Sequence, residues 1–186
     1  MKHLQKRGGP AKGRCPLDSC LRASPLRIPF FWLAGVGLLS LLLDAGSKGL
    51  AAMLLDGEVI RWGWLVEFRL TRNTGMAFGL LGDSPLAGIL LPLAVVLGGW
   101  TLLRRYRPSA FVYAASGLVL GGFLGNFVQR LFQGHVLDML YFPWLPWFVC
   151  NVADICICLG VALLAFSLLL RPQDWEEKRG EQDAHH

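Results

Sequence analysis

Hydrophobic residues dominate four long stretches of the chain, and polar residues are concentrated in the segments between them. The apolar stretches cover residues 28–43, 86–103, 110–128 and 148–170. A helix needs about 20 mainly apolar residues to cross roughly 30 Å of hydrocarbon, and each stretch approaches or reaches that length. The pattern predicts an all-α membrane protein whose four transmembrane helices lie at residues 28–48, 86–103, 110–128 and 148–170.

Two segments between the predicted helices have a different pattern. Residues 59–72 partly alternate bulky apolar with polar side chains, which is typical of a half-buried strand and predicts a small β-sheet on the outer membrane surface. Residues 139–149 are too rich in aromatic residues and proline for a regular helix start. We interpret them as an interfacial loop in which Trp144 and Trp147 lie at headgroup level.

The distribution of charge predicts how the helices are oriented. The chain is 54% hydrophobic and 17% charged, with a formal net charge of +5. Residues 1–27 hold seven Lys and Arg against one Asp, residues 104–107 hold three Arg, and residues 56–83 hold three basic and four acidic residues. Because Lys and Arg mark the cytoplasmic side, both termini should be cytoplasmic and the loops 56–83 and 129–147 should be outside. The positive charge therefore predicts orientation, and we expect no nucleic-acid partner.

Three regions follow from these patterns. We expect a basic, disordered cytoplasmic extension at residues 1–26, a four-helix transmembrane domain at residues 27–171 and a polar cytoplasmic tail at residues 172–186. The first apolar stretch imitates a cleaved signal peptide, but its length and the spans that follow favour an uncleaved anchor. The five cysteines lie in the basic extension and around the last helix, so they do not predict a disulfide framework.

Five polar residues lie within or beside apolar sequence near the outer ends of the last two predicted helices. They are Asn126, Arg130, Asp138, Asn151 and Asp154. An ionised group in such a place costs several kcal/mol unless it is paired or used. Asn126 and Arg130 are four residues apart, and Asn151 and Asp154 are three apart, so each pair shares one helix face. Asp138, in a loop, can then meet Asp154 at the outer edge of the bundle.

Two carboxyls that meet in apolar surroundings cannot both ionise cheaply, so one keeps a proton while the other is a base. Such a dyad could activate water for peptide hydrolysis, with Asn126, Arg130 and Asn151 orienting the dyad or holding substrate carbonyls. The residues leave two non-enzymatic alternatives open, a proton-coupled carrier that uses the same carboxyls and an assembly scaffold. No metal site or organic cofactor is indicated, since no second His is placed to bind a metal with His135.

Two other segments carry polar or turn-forming residues. Asp44 and Lys48, four residues apart near the end of the first span, predict an interfacial ion pair that stops the span. Asn73 and Gly75 are expected to form a turn, and Phe78 to be an apolar anchor.

Glycines recur every four residues along the third predicted helix, at Gly117, Gly121 and Gly125. Residues at this spacing share one helix face, and small side chains let two helices approach closely. We therefore expect this face to pack against another helix.

The chain resembles the lipoprotein signal peptidase, or signal peptidase II, family across about residues 30–170. The matching blocks are DAGSK at 44–48, RNTGMAFG at 72–79, GGFLGNFVQR at 121–130, GHVLD at 134–138 and NVAD at 151–154. The resemblance implies a bacterial inner-membrane aspartyl endopeptidase with its active site on the periplasmic side. Its substrate would be a prolipoprotein with diacylglycerol on the lipobox cysteine, cut just before that cysteine.

The resemblance also implies roles for individual residues. The catalytic pair would be Asp138 and Asp154. Substrate-binding or dyad-supporting roles would fall to Asn73, Asn126, Arg130 and Asn151. Structural or supporting roles would fall to Asp44, Lys48, Gly75 and Phe78.

Three positions depart from the family pattern. Gln129 stands where an acidic residue is common, Cys150 where Phe is frequent, and Met139 where Phe often follows the catalytic Asp. These departures concern the contacts within the pocket and leave both carboxyls of the dyad in place.

Overall fold

The computed structural model describes residues 27–74 and 87–177. Its helices are α1 (Arg27–Leu54), α2 (Ala87–Arg105), α3 (Ala110–Gln133) and α4 (Val152–Leu170). Its strands are β1 (Val59–Trp62), β2 (Val66–Asn73), β3 (Tyr106–Pro108), β4 (Val136–Tyr141), β5 (Val149–Cys150) and β6 (Trp175–Glu177), and a 3-10 helix covers Pro172–Asp174. The extension at residues 1–26 and the predicted roles of Gly75 and Phe78 lie outside the described residues.

Three of the described helices are long and apolar enough to cross a membrane. They are Phe30–Leu54 within α1, Ala110–Gln133 and Val152–Leu170. Helix α2 has 19 residues and coincides with the predicted span at 86–103, so a helix is present there. A fourth crossing through α2 stays a prediction.

The structure corrects three helix boundaries. Helix α1 continues to Leu54 rather than residue 48, because Asp44 and Lys48 pair within the helix and do not interrupt it. Helix α3 continues to Gln133 rather than residue 128, and it ends where Gly134 takes a left-handed conformation with φ 75°. Helix α4 begins at Val152 rather than residue 148, because the residues before it pair with β4.

The predicted small sheet is confirmed, and it has four antiparallel strands in the order β1, β2, β4, β5. The expectation of one strand over residues 59–72 is wrong, because Gly63 at φ 60° allows the chain to turn back between β1 and β2. Strand β4 follows Gly134 after one residue and carries Asp138 opposite Thr71 of β2. Helix α3 and the sheet are therefore joined at one short turn beside Asp138.

The aromatic segment after Asp138 is partly strand and partly loop. Its first residues complete β4, and residues 142–148 form turns that lead into β5. Trp144 and Trp147 are exposed, and the indole N–H of Trp144 donates to the carbonyl of Leu65 in the β1–β2 turn at 3.1 Å. The loop is thus fixed against the hairpin while its rings remain on the surface.

The glycine face of α3 packs tightly, as the sequence predicts. A Cβ atom added at Gly117 would lie 2.7 Å from the carbonyl oxygen of Leu33 in α1. A Cβ at Gly121 would collide with Gly37, and one at Gly122 would lie 2.5 Å from the carbonyl oxygen of Ala153 in α4. Helix α3 therefore lies in close contact with α1 and α4, which brings the polar ends of all three together.

The segment after α4 is more ordered than the predicted polar tail at residues 172–186. Asp174 is buried, and its carboxylate accepts hydrogen bonds from the Ser167 hydroxyl at 3.0 Å and pairs with Arg171 at 3.0 Å. Trp175 donates to the Ser167 hydroxyl at 3.1 Å, and β6 pairs with β3. We call Ser167, Arg171, Asp174 and Trp175 the tail clasp. The clasp holds the segment after α4 against the helix end, so residues 172–177 are packed on the protein and are not simply a solvated tail.

Candidate active site

The predicted polar residues converge at the end of the bundle where α4 begins. Helix α1 contributes Lys48, α3 contributes Asn126 and Arg130, β4 contributes Asp138, and the start of α4 contributes Asn151 and Asp154. We call these six residues the site cluster. Asn73, at the end of β2, reaches the cluster through Asp138.

Asp138 lies in the sheet with its carboxyl turned into the cluster, and only 2% of the residue is exposed. Its Oδ2 accepts a hydrogen bond from Nδ2 of Asn73 at 2.9 Å, and its Oδ1 accepts one from Nδ2 of Asn151 at 2.7 Å. Burial raises the pKa of Asp138 to about 6, although the two amide donors oppose that rise and the nearby Asp154 adds to it. Asp138 is thus a carboxyl that can hold a proton near neutral pH.

Asp154 is held by the first turn of α4. Asn151 is the N-cap of this helix, and its side-chain oxygen accepts from the backbone N–H of Asp154 at 3.0 Å. In return, Oδ2 of Asp154 accepts from the backbone N–H of Asn151 at 3.2 Å, which completes a reciprocal capping box. The positive end of the helix dipole favours negative charge at this position. One local motif therefore fixes the carboxylate and begins the helix.

Asn151 joins the two carboxyls. Its backbone N–H binds Asp154, while its side-chain Nδ2 donates to Asp138 at 2.7 Å and to Oδ1 of Asn126 at 3.1 Å. Nδ2 of Asn126 donates in turn to Oδ1 of Asp154 at 2.8 Å. Both carboxyls are therefore reached from a single residue, and amide groups that do not titrate surround them.

Arg130 belongs to the same face of α3 as Asn126, in the last turn of the helix. Its guanidinium interacts electrostatically with both Asp154 and Asp138. Its positive charge therefore lies near both acids and favours their ionised forms.

The Asp44 and Lys48 pair differs from its prediction. The two side chains form a 2.7 Å ion pair, as expected, but both residues are buried, with exposed fractions of 1% and 5%. Lys48 also donates to Oδ1 of Asn126 at 2.8 Å, and Oδ1 of Asp44 accepts from the backbone N–H of Ala153 at 2.9 Å. The pair is therefore part of the polar network between α1, α3 and α4 rather than an interfacial stop signal.

The three positions that depart from the family pattern all lie near the cluster. Oε1 of Gln129 accepts from the backbone N–H of Leu137 at 3.0 Å, one residue before Asp138, so it ties β4 to α3. Cys150 is buried, and burial together with the two carboxyls raises the pKa of its thiol to about 12. Met139 packs in the core below the sheet.

Sequence reasoning predicted the cluster but missed two of its supports. The spacing of polar residues indicated Asn126, Arg130, Asn151 and Asp154 as shared helix faces. The contact of Lys48 with Asn126 and that of Gln129 with Leu137 had no local signal beyond a polar residue near a helix end. For Lys48 the sequence predicted only the ion pair with Asp44, and for Gln129 it predicted no partner.

Comparison with known proteins identifies the family of the chain. The sequence model described as "Signal peptidase (SPase) II" matches residues 36–170. The chain is 36% identical to a lipoprotein signal peptidase of Nitratidesulfovibrio vulgaris over 155 residues, which cover 78% of this chain and 93% of that protein. It is 36% identical to one from Coxiella burnetii (77% and 91% covered) and 31% identical to one from Pseudomonas paraeruginosa (83% and 95% covered).

Two solved structures share the fold. Both are described as a bacterial membrane enzyme structure by the in meso method, and each is 21% identical to this chain. The first gives a TM-score of 0.64 and covers 80% of this chain and 94% of its own, and the second gives 0.62 with 75% and 93% covered. Together with the sequence matches, these comparisons establish a multi-pass membrane protein and a protease, and the chain belongs to the signal peptidase II family of lipoprotein signal peptidases.

Proposed function

We propose that the chain is an aspartyl endopeptidase that removes the signal peptide from diacylglyceryl-modified prolipoproteins, with the cut just before the lipidated cysteine. The observation that carries this proposal is the position of Asn151, which hydrogen-bonds Asp138 through its side chain and Asp154 through its backbone. Two buried carboxyls on either side of one residue are the arrangement that general acid and base catalysis by a dyad requires.

We assign the shared proton to Asp138 and the negative charge to Asp154. Burial favours the neutral form of Asp138, and its pKa of about 6 reflects this. Asp154 accepts a backbone N–H at the start of a helix and an amide N–H from Asn126, and Lys48 and Arg130 lie nearby as cations. Burial opposes the ionisation of Asp154, and these donors and cations offset that cost. We place the charge on Asp154 because it also lies at the positive end of a helix, which Asp138 does not.

In this mechanism Asp154 takes a proton from a water molecule, and the water attacks the scissile carbonyl. Asp138 donates its hydrogen to the carbonyl oxygen. As the C–N bond breaks, Asp154 passes the proton that it took from water to the leaving nitrogen, and Asp138 recovers its proton from the hydroxyl that becomes the product carbonyl. Arg130 stabilises negative charge that develops beside both carboxyls. A covalent intermediate is not required.

We further propose that the protein has four membrane spans, with α2 as the second, in the bacterial inner membrane. Both termini would be cytoplasmic and the site cluster would lie on the periplasmic side. The basic residues at 1–27 and 104–107 support this orientation. The exposed Trp62, Trp64, Trp144 and Trp147 on the sheet and its loop support a location at a membrane interface.

Replacement of each dyad carboxyl tests the mechanism. We expect Asp138→Asn and Asp154→Asn each to lower cleavage of a diacylglyceryl precursor by about 10²- to 10⁴-fold or more, because each removes a proton donor or acceptor. The measurement is a gel-shift assay with protein purified in detergent. Asp56→Asn is the matched control, since Asp56 is exposed in the loop after α1. Near-normal processing by either dyad variant would remove that carboxyl from the mechanism.

A further inference from the structure

Lys48 reaches beyond its ion pair into the catalytic cluster. Its ammonium lies 2.7 Å from Oδ2 of Asp44 and 2.8 Å from Oδ1 of Asn126, and the residue is 5% exposed. The contact with Asn126 joins positions 78 residues apart in the sequence. An ion pair between Asp44 and Lys48 within α1 does not by itself account for the contact with Asn126 in α3.

The chemistry of the ammonium determines which way the Asn126 amide points. A Lys side chain has three donors and no acceptor, so the atom of Asn126 that faces it has to be the oxygen. The nitrogen of the same amide then faces Oδ1 of Asp154, to which it donates at 2.8 Å. The reversed amide would place N–H groups against the ammonium and an oxygen against the carboxylate, which is unfavourable at both ends.

Asn151 reinforces the same orientation, because its Nδ2 also donates to Oδ1 of Asn126 at 3.1 Å. The oxygen of Asn126 therefore accepts two hydrogen bonds, and only the one from Lys48 carries a full charge. Hydrogen bonds from a charged donor are roughly twice as strong as neutral ones. Lys48 is thus the stronger of the two groups that hold the amide.

We infer that Lys48 is a positioning residue of the active site, which holds the Asn126 amide with its nitrogen toward Asp154 and supplies positive charge to the dyad from α1. This inference rests on the proposed aspartyl mechanism. Asp44 has a supporting part, since it fixes Lys48 and binds the backbone N–H of Ala153 in the first turn of α4. Residues 44–48 are therefore connected to the dyad through the hydrogen bond from Lys48 to Asn126.

The charge of Lys48 predicts the direction in which the pH profile should move when the ammonium is removed. Burial raises the pKa of Asp138, and the Lys48 ammonium opposes that rise. The other groups that face Asp138 are Asp154 from α4, Arg130 from α3, the Cys150 thiol from β5, and the amides of Asn73 from β2 and of Asn151 at the start of α4. Without the ammonium, the anionic form of Asp138 loses a stabilising charge, so its proton is retained to higher pH. The alkaline limb of the activity profile should then move upward.

The test must separate positioning from helix stability, because Lys48→Met alone leaves Asp44 as an unpaired buried carboxylate. The double variant Asp44→Asn/Lys48→Met removes that charge and keeps an oxygen at position 44 that can accept from Ala153. We expect the double variant to unfold thermally near the wild-type temperature in detergent. Its kcat on a diacylglyceryl precursor should fall by about 10- to 100-fold, as expected when a partner that orients a catalytic group is lost. Its KM should change little. The shift of the alkaline limb to higher pH is measured in Lys48→Met, which removes the ammonium alone, because the double variant also removes the negative charge of Asp44.

The outcomes test the positioning role of Lys48 and the proposed function separately. If wild-type protein cleaves the precursor, the double variant matches its kcat and Lys48→Met leaves the alkaline limb in place, Lys48 is only a packing residue and the inference fails. If wild-type protein does not cleave the lipidated precursor at all, the proposed function itself fails. A stable double variant with low kcat, together with a shifted limb in Lys48→Met, supports the positioning role.

Discussion

The two ends of α4 each bury an aspartate, and they do so in different ways. At the far end, Asp174 is held by the Arg171 guanidinium and the Ser167 hydroxyl within the tail clasp. At the near end, Asp138 is held by two neutral amides, those of Asn73 and Asn151. An amide donor orients a carboxyl without adding a charge that would hold it ionised. The hydrogen-bond partners of Asp138 are thus neutral amides, whereas Asp174 is in direct contact with a cation.

The same contrast applies to the arginines. Arg171 contacts Asp174 through Nε at 3.0 Å, and its side chain is 38% exposed. Arg130 is also half-buried, and it interacts electrostatically with two carboxyls. A planar group with five donors can bind two acids in fixed directions, which a single ammonium cannot do. The cation of the site cluster should therefore be harder to replace than the cation of the tail clasp.

Among the residues that hold the two acids, the largest effect is expected from Asn151, because it combines the N-cap of α4 with the donors to Asp138 and Asn126. Asn151→Ala should lower cleavage by on the order of 10²-fold and destabilise the protein by about 1 kcal/mol through loss of the cap. Asn151→Ser keeps an oxygen that can cap the helix but lacks the amide N–H groups. It should unfold near the wild-type temperature and still cleave as poorly as the Ala variant.

These two variants separate the cap from the catalytic donors. Thermal unfolding and gel-shift cleavage, measured on the same preparations, are sufficient. Full activity of Asn151→Ser would show that the amide donors are dispensable and that the residue acts only as a cap.

An intermediate effect is expected from conservative replacement of the arginines. Arg130→Lys should lower processing by about 10-fold or more, because an ammonium does not reproduce the planar fork beside two carboxyls. Arg171→Lys is the matched control at the other end of α4 and should process precursor at the wild-type rate. Equal turnover of both variants would make Arg130 a solvated helix-end cation.

The smallest effect on turnover is expected from Asp174→Asn in the tail clasp. The carboxylate accepts from Ser167 and pairs with Arg171, so its loss should destabilise the protein by about 1–3 kcal/mol and lower its unfolding temperature. The kcat of the folded fraction should not change, since the residue lies at the opposite end of a 19-residue helix from Asp154. A large loss of kcat at normal stability would mean that the two ends of α4 are coupled.

The sequence predicted those parts of the site that depend on local spacing. Asn126 and Arg130 were placed on a shared face because the helical repeat brings residues four apart together. The glycine face of α3 was predicted for the same reason. Asn151 and Asp154 do meet, but the reason given for them was wrong, since Asn151 is the extended N-cap before α4 and contacts Asp154 through the capping box. The helix boundaries were less accurate, because strand pairing by Val149 and Cys150 delays the start of α4 and a local pattern does not register that pairing.

What the sequence could not provide were contacts that depend on how helices are rotated against each other. Lys48 was predicted to complete its ion pair with Asp44, and its approach to Asn126 follows from the packing of α1 on α3. The hydrogen bond between Gln129 and the backbone of Leu137 depends on the turn that joins α3 to β4. The tail clasp was missed because its charged residues look like an ordinary solvated end until β6 pairs with β3.

The turn at Gly134 makes the geometry of the whole site depend on one backbone angle. Its φ of 75° lies in the region that residues with a side chain disfavour by roughly 1–2 kcal/mol, and it stands between Arg130 on the helix and Asp138 on the strand. The spacing of the guanidinium from that acid is therefore set by this short hinge as well as by the long contacts of the bundle. A residue with a side chain at this position would therefore strain the one short connection between the helix that carries Arg130 and the strand that carries Asp138.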